Sequence, residues 1–329
     1  MRKLLILALI IALVAFGCGE GTVKVIKVNY SNTTAKNVSA AVPNITQNVS
    51  ANISSNLSSN LSSNVTSNIT SNSSANITNQ TGTTTIKLRN LTVDFLDLQG
   101  NSVFIRSPSL KTVIIDGGQN SDGLKMVKYL INKGVSKFDY VFDSNAENYN
   151  AGGLKMIMFN FNNSNAYCTA ISYDMNEYSG FRDYIHYAAG YSHNCTPVIE
   201  SESFTIEDDV KLQLFVPYDT INVSNGSPKD DTIVFKLIDK DASFLFLGDC
   251  TGACFDYIKK DDIGADVLNV HGAVPQSIID VVSPKIIVYD NITSETIKPE
   301  GVKVYSKSDG VVTIMSDGEK YYISVAGKA

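Results

Sequence analysis

Asparagine recurs at every fourth position from Asn44 to Asn76, and each of these residues opens an Asn-x-Ser/Thr triplet. Asn44, Asn48, Asn52, Asn56, Asn60, Asn64, Asn68, Asn72 and Asn76 are therefore glycan acceptors by sequence. A period of four carries side chains around a helix by about 40° per repeat, so Ile45, Val49 and Ile53 cannot share one buried stripe. Asn, Ser, Thr, Val and Ile are also poor helix formers. Lys36 is the sole charged residue between positions 29 and 85. The expectation is an extended or disordered tether over residues 19–85 that joins no core, with glycans stiffening it and shielding it from proteases. Unglycosylated, residues 29–85 would span about 40 Å as a flexible coil, and the alternative is a low-complexity spacer that carries no sugar.

The residues before the tether read as an export signal. Arg2 and Lys3 precede an apolar run from Leu4 to Phe16, and Ala15-Phe16-Gly17-Cys18 resembles a lipobox, with Cys18 as the lipid-bearing residue and Phe16 atypical for that motif. The run is shorter than the roughly 17–25 residues a bilayer span requires, which favours a cleaved or lipid-linked signal over an uncleaved short anchor. Either reading places the rest of the chain outside the cytoplasm, held to a membrane by residues 1–18.

Residues 1–28 carry a formal +3 and Lys36 adds +1, so the whole-chain −6 leaves −10 on residues 86–329. An acidic body without a basic stripe, in a chain with no Trp, argues against nucleic acid as a partner, because phosphate backbones are bound chiefly by Lys and Arg. Beyond Cys18 the cysteines are Cys168, Cys195, Cys250 and Cys254, an even number in an exported chain. They allow two disulfides in three connectivities, of which 168 with 195 and 250 with 254 is the favoured one. The close pair is spaced CxxxC, which disfavours a cysteine zinc site.

From residue 86 onward, short apolar strands alternate with helical patterns. Strands are expected over 91–98, 102–106, 111–116, 140–142, 211–216, 232–238, 243–247, 267–270 and 285–289. Helices are expected over 124–133, 154–159, 255–260 and 278–282, with Gly134 ending the first. The segment 183–195, which holds His186 and His193, reads as aromatic and loop-like, and neither histidine is assigned a ligand role. The whole is an α/β layered fold with two sheets.

Leu91-Thr92-Val93-Asp94-Phe95-Leu96-Asp97-Leu98-Gln99-Gly100-Asn101-Ser102-Val103-Phe104-Ile105-Arg106, followed by Lys111-Thr112-Val113-Ile114-Ile115-Asp116-Gly117-Gly118, resembles the metallo-β-lactamase superfamily. The most similar pattern is that of the extracytoplasmic hydrolase-like domain of the competence protein ComEC, from which this chain differs by lacking a Gly before Gln99 and by Asn101 in place of Asp. The likeness continues through Thr232 to Leu237, Phe246-Leu247-Gly248-Asp249 and Val267 to Gly272. It implies an αββα sandwich of two mixed sheets flanked by helices over residues 86–329, and a metal-dependent hydrolase of phosphodiesterase or nuclease type.

That family places a T-H-x-H-x-D-H-x-G-G loop after a strand, its His and Asp converging on one or two metal ions. Anchored on Gly152-Gly153, the ligand positions here hold Asn145, Glu147, Tyr149 and Asn150. Neutral imidazole holds zinc at neutral pH; an amide is a weak ligand and a tyrosine hydroxyl stays protonated. Asp249 and His271 match retained ligand positions, and two ligands do not make a zinc site. Glu147, Asp249, His271 and Asn145 would at most form an oxygen-rich site for magnesium or calcium. Without zinc to acidify a water, the nucleophile is missing, and Glu147 is the one carboxylate of the loop that would serve as a base. Asp116 and Asp143 read as structural, Asp116 by capping turn amides before Gly117-Gly118. The expectation is a non-catalytic binding or scaffold module of an archaeal cell envelope, needing no cofactor, whose emptied pocket takes a small ligand or an envelope protein. The alternative is a metal-dependent hydrolase with a reduced metal set.

Overall fold

The computed structural model describes residues 90–170, 178–190, 195–217, 228–293 and 296–326. The export signal, Cys18, the tether with its acceptor asparagines, and His193 lie outside the described residues. No helix among the described residues is long and apolar enough to cross a membrane.

The chain opens with three antiparallel strands, β1 (Leu91–Phe95), β2 (Val103–Arg106) and β3 (Thr112–Ile115). Helix α1 (Gly123–Asn132) follows, then β4 (Lys137–Phe138), β5 (Tyr140–Phe142), α2 (Asn148–Ala151) and α3 (Leu154–Asn160). Next come β6 (Asn162–Asn163), β7 (Ala166–Thr169), α4 (Ser179–Gly190), β8 (Thr196–Val198), β9 (Glu202–Glu207) and β10 (Val210–Phe215). The second half runs β11 (Val234–Asp239), β12 (Ala242–Phe246), α5 (Gly252–Ile258), β13 (Val267–Val270), α6 (Gln276–Val282) and β14 (Ile286–Tyr289). It closes with β15 (Lys303–Ser306), β16 (Val312–Ser316) and β17 (Tyr321–Val325).

These strands form one sheet in the order β17-β16-β1-β2-β3-β5-β7-β8 and another in the order β15-β14-β13-β12-β11-β10-β9, with β4 and β6 pairing separately. Both sheets are mixed. In the second, β9 to β12 are antiparallel to their neighbours, while β12, β13, β14 and β15 run parallel. Sequence and position agree here: Val267–Val270 and Ile286–Tyr289 are continuous apolar runs, broken only by Asn269, and every residue in them is buried, as parallel strands covered on both faces require. Strand β10 instead alternates buried and exposed positions in the manner of an antiparallel strand with one wet face.

Three apolar layers define the architecture. The two sheets face each other through Phe95, Phe142, Phe235, Phe244 and Phe246, with ring centroids 5.5 Å apart for Phe142–Phe235 and 6.0 Å for Phe95–Phe246. Each such ring, fully buried, contributes about 1.5–3 kcal/mol. The outer face of the first sheet is covered by Met126 and Leu130 of α1, Leu154 and Ile157 of α3, and Phe181 and Tyr184 of α4. Cys254 and Ile258 of α5, with Ile278, Ile279 and Val282 of α6, cover the second. Helix, sheet, sheet, helix is the αββα sandwich of the metallo-β-lactamase fold that the sequence resemblance implies.

The segment expected to be loop-like from residue 183 is instead part of helix α4. Its buried residues Phe181, Tyr184 and Ala188 are spaced by three and four, a helical stripe hidden in the sequence by a tyrosine-rich composition that favours strands. His186 sits on its exposed side.

Both favoured disulfides form. Cys168 in β7 joins Cys195 just before β8, across 27 residues that include α4, and Cys250 joins Cys254 across four residues between the loop after β12 and the first turn of α5. On the chain-entropy model, replacing Cys168 and Cys195 by alanine should cost about 3.5 kcal/mol and replacing Cys250 and Cys254 about 2 kcal/mol. Denaturant titration of the two double variants checks this; a larger loss from the short-loop pair would contradict it.

Candidate functional site

The residues of interest stand at strand ends along one edge of the sandwich. Asp116 follows β3, Asp143 to Asn145 follow β5, and Asp249, His271, Asp290 and Lys307 follow β12, β13, β14 and β15. The parallel register pairs Val270 with Tyr289 and Tyr289 with Ser306, so the next residues, His271, Asp290 and Lys307, emerge side by side. Asp249 stands beside His271 on the other flank. The result is a row of alternating charge. His271 Nε2 lies 3.3 Å from Asp249 Oδ1, its Nδ1 contacts Asp290 Oδ2, and Lys307 Nζ lies 2.7 Å from the same Asp290 oxygen. Lys307 also donates to the Gly100 carbonyl at 2.8 Å, reaching the β1–β2 loop of the opposite sheet.

Burial and pairing compete along this row. Burial alone would lower His271, but the hydrogen bond and charge of Asp290, with the charge of Asp249, raise it above the usual histidine value and favour the imidazolium. Burial alone would raise Asp290, yet Lys307 and His271 hold it below the usual carboxylate range. Asp249 is raised by burial against the opposing pull of His271 and Asn150.

Opposite the row, the loop after β5 carries the substituted ligand positions. The backbone N–H of Glu147 donates to Asn145 Oδ1 at 2.9 Å, which fixes the orientation of that amide. Asn145 Nδ2 then donates to Thr232 Oγ1 at 2.8 Å. Asn150 Nδ2 donates both to Asn145 Oδ1 at 2.8 Å and to Asp249 Oδ2 at 2.7 Å. Asn145 and Asn150 are fully buried. Tyr149 stacks on His271 with centroids 5.6 Å apart, and Lys229 Nζ lies 5.6 Å from the Tyr149 centroid on a contact that raises the lysine through the Tyr149 hydroxyl. The structure thus brings Asn145, Tyr149, Asn150, Asp249 and His271 together. Glu147 contributes its backbone to that cluster, while its half-buried side chain is felt by Lys229 and Tyr149 through its charge.

A second layer lies beneath. Asp116 has φ +61°, a left-handed conformation unusual for a residue with a Cβ, and accepts from the Ser144 backbone N–H, Ser144 Oγ and Asn101 Nδ2, each at 2.8 Å. It therefore ties two loops together rather than capping its own turn, where the sequence placed it. The turn amides of Gln99, Gly100 and Gln119 are taken instead by Asp122 Oδ2, at 3.0, 3.1 and 2.9 Å. Burial, partly offset by Ser144, pushes Asp116 up to about 7. Asp143 is raised well above the usual range by burial and then by the charge of Asp116, which the backbone N–H of Thr169 offsets only in part. The loops approach closely at Gly100, where an added Cβ would stand 1.9 Å from the Tyr149 carbonyl oxygen.

No protein-family profile and no curated protein sequence matches the chain. Among solved structures it is similar to a diphosphatase of the PhnP family, at 10% identity and TM-score 0.42, covering 72% of this chain and 99% of that one. It is also similar to a putative zinc-dependent hydrolase of the metallo-β-lactamase superfamily from Thermotoga maritima, at 13% identity and TM-score 0.32, covering 67% and 83%. A third likeness is to CmlA, a diiron β-hydroxylase from Streptomyces venezuelae, at 8% identity and TM-score 0.37, covering 60% of this chain and 44% of that chain. Nothing about activity passes from them to this protein.

The His and Asp ligands of the metal loop that the sequence resemblance implies are replaced here by Asn145, Glu147, Tyr149 and Asn150. Among the described residues no group of three or more His, Cys, Asp or Glu is placed to hold a metal ion. The decisive point is the donor set: Asn150 turns an N–H, not a lone pair, toward Asp249, and His271 has its two nitrogens directed at two carboxylates. Each retained ligand thus already faces a hydrogen-bonding or charged partner, while Asn150 Oδ1 and Asp290 Oδ1 are buried without one among the described residues.

Asp290 and Lys307 were not anticipated from the sequence. Their only signal is a single charged residue directly after an apolar strand, in Tyr289-Asp290 and Ser306-Lys307. Together with His271 they line a cleft of about 550 Å³ beside the interlocked amides.

Proposed function

We propose that this protein is a membrane-tethered, non-catalytic binding module on a metallo-β-lactamase fold, working outside the cytoplasm in a cell envelope. The observation that carries it is the Asn150 amide, which binds Asn145 and Asp249 at once and so replaces the metal's bridging role with a hydrogen-bonded clasp. The clasp ties the loop after β5 to Asp249, and among the described residues no group of three or more His, Cys, Asp or Glu is placed to hold a water-activating metal. Two disulfides suit an oxidising compartment, and the export signal and sequon-dense tether of the sequence supply the attachment.

Metal analysis after zinc loading and dialysis, with an assay on bis(p-nitrophenyl) phosphate, tests the reading. The expected result is well under one zinc per chain and hydrolysis no faster than that of Asp249→Ala. One or two zinc ions per chain, with turnover abolished in Asp249→Ala, would replace it with the metal-dependent phosphodiesterase that the ComEC-like sequence pattern implies.

A further inference from the structure

Helix α1 buries Met126, Val127 and Leu130 against the first sheet and turns two large apolar side chains the other way. Leu124 is 73% exposed and Ile131 57% exposed. Seven residues carry a side chain almost two whole turns, so the two stand on one line about 10 Å apart, with exposed Lys128 between them. The helix carries Lys125 and Lys128 and no acidic residue. Apolar side chains left in water at helical spacing and interleaved with lysine suit the boundary between lipid headgroups and acyl chains.

The surface continues past the end of α1. Arg106 Nη2 donates to the Lys133 carbonyl at 2.8 Å and Thr112 Oγ1 to the Lys137 carbonyl at 2.7 Å, which sets the β2–β3 turn beside the C-terminal end of the helix. Leu110, in that turn with φ +68°, is 60% exposed, and Lys111, Lys133 and Lys137 are exposed at the same end. The carboxylates here lie beneath the cations or are engaged. Asp94, 3.3 Å from Lys133, and Asp139, 3.1 Å from Lys137, are buried. Glu207 accepts from Ser107 Oγ at 2.6 Å and from the Ser109 N–H at 3.0 Å, and Asp97 meets Lys125 at 3.2 Å. A body with a formal −10 over residues 86–329 thus turns a cationic and apolar surface to solvent on this side.

The chain itself brings a membrane to this surface. Strand β1 runs antiparallel to β2 and pairs Thr92 with Arg106, so residue 90 enters the domain at the end where Arg106 holds Lys133. Residues 29–85 span about 40 Å as a flexible coil, which leaves the domain within reach of the membrane that the export signal marks. Contact between the two is then intramolecular, and individually weak contacts suffice.

We propose that this face docks on a bilayer surface bearing anionic headgroups, with Leu110, Leu124 and Ile131 entering the headgroup layer and Lys111 and Lys128 meeting phosphate. The inference rests on the membrane-tethered reading and names the surface on which the domain comes to rest.

Because the chain contains no Trp, Leu124→Trp and Ile131→Trp each introduce a single reporter. Val281→Trp is the control, at a position 48% exposed on α6 over the other sheet. Full-length protein is reconstituted with vesicles of phosphatidylcholine alone or mixed with phosphatidylglycerol. On the mixed vesicles the emission of Leu124→Trp and of Ile131→Trp should shift to the blue and be quenched by brominated acyl chains, while Val281→Trp keeps its aqueous spectrum. Adding Lys111→Glu and Lys128→Glu, or using phosphatidylcholine alone, should abolish the shift. An unshifted Ile131→Trp, an equal shift in Val281→Trp, or an equal shift on the neutral vesicles overturns the inference. So does a blue shift that appears without vesicles and grows with protein concentration, which makes a second copy of the chain the occupant. Flotation of the vesicles keeps the two readings apart. Protein that floats with its reporters still in water loses only the docking face, whereas protein that does not float loses the membrane attachment as well.

Discussion

Replacing Lys307 with methionine is expected to cost about 3–5 kcal/mol of folding stability, because it leaves the Asp290 carboxylate buried beside a single remaining cation. Lys307 is 3% exposed and Asp290 has a side chain 11% exposed, so solvent cannot substitute for the lost ammonium. The substitution also removes the bond to the Gly100 carbonyl, one of the few polar links between the two halves of the site. Methionine keeps the length of the side chain, so the loss reports charge and hydrogen bonding rather than a cavity. The informative control is Lys307→Met with Asp290→Asn. If the cost of the single change comes from an orphaned carboxylate, the double variant should recover half of it or more, since replacing both partners is far milder than removing one. Urea unfolding of the three proteins measures this. A single-variant loss below about 1 kcal/mol, the range of an exposed ion pair, would mean that the row of charges is solvated in solution.

The second large effect is a fall in stability as pH rises. Asp116 is held up to about 7 by burial, Asp143 is raised by burial and by Asp116, and Asp249 is raised by burial. In the unfolded chain these carboxyls release their protons near pH 3.9. Between about pH 4 and 7 the native state therefore binds protons that the unfolded state has lost, and stability declines across that window. His271 acts in the same direction: its folded value is raised, so its contribution is complete below about 6.5 and disappears as pH passes the folded value. Asp290 is depressed and opposes the trend only on the acid side, its contribution being lost as pH falls below the normal carboxylate range. The shift of Asp116 alone corresponds to about 4 kcal/mol, and the melting temperature should drop by roughly 10 °C between pH 5 and pH 8. Asp116→Asn should flatten the profile. A melting temperature that rises over the same interval would show that the buried carboxyls are ionised and otherwise compensated.

Much of the sandwich is legible in the sequence for a plain reason. Strands such as Val267–Val270 and Ile286–Tyr289 are apolar on both faces, and α1 sets Met126, Val127 and Leu130 on one side, so burial leaves a periodic trace. Strands β9, β15, β16 and β17 leave little trace because they sit at or near sheet edges and mix exposed with buried positions. Half of the site is legible in the same way, through one anchor: Gly152-Gly153 fixes the frame from which Asn145, Glu147, Tyr149 and Asn150 are counted. Asp249 and His271 are legible too, from their places in the family pattern, whereas Asp290 and Lys307, and the grouping of the row, are not. Positions 271, 290 and 307 are neighbours only because three parallel strands end in register, and no local pattern encodes a pairing between segments that far apart.

That register has a consequence for how the protein can diverge. The side chains crowning β12 to β15 behave as a sentence in which each word takes its sense from the next, minus, plus, minus, plus. Sliding any of these strands by one residue against its neighbour would bring an uncharged residue such as Tyr289 or Ser306 into the row and strand the charge facing it, so descendants of this chain should alter the row in coordinated pairs, or keep it untouched while everything around it drifts.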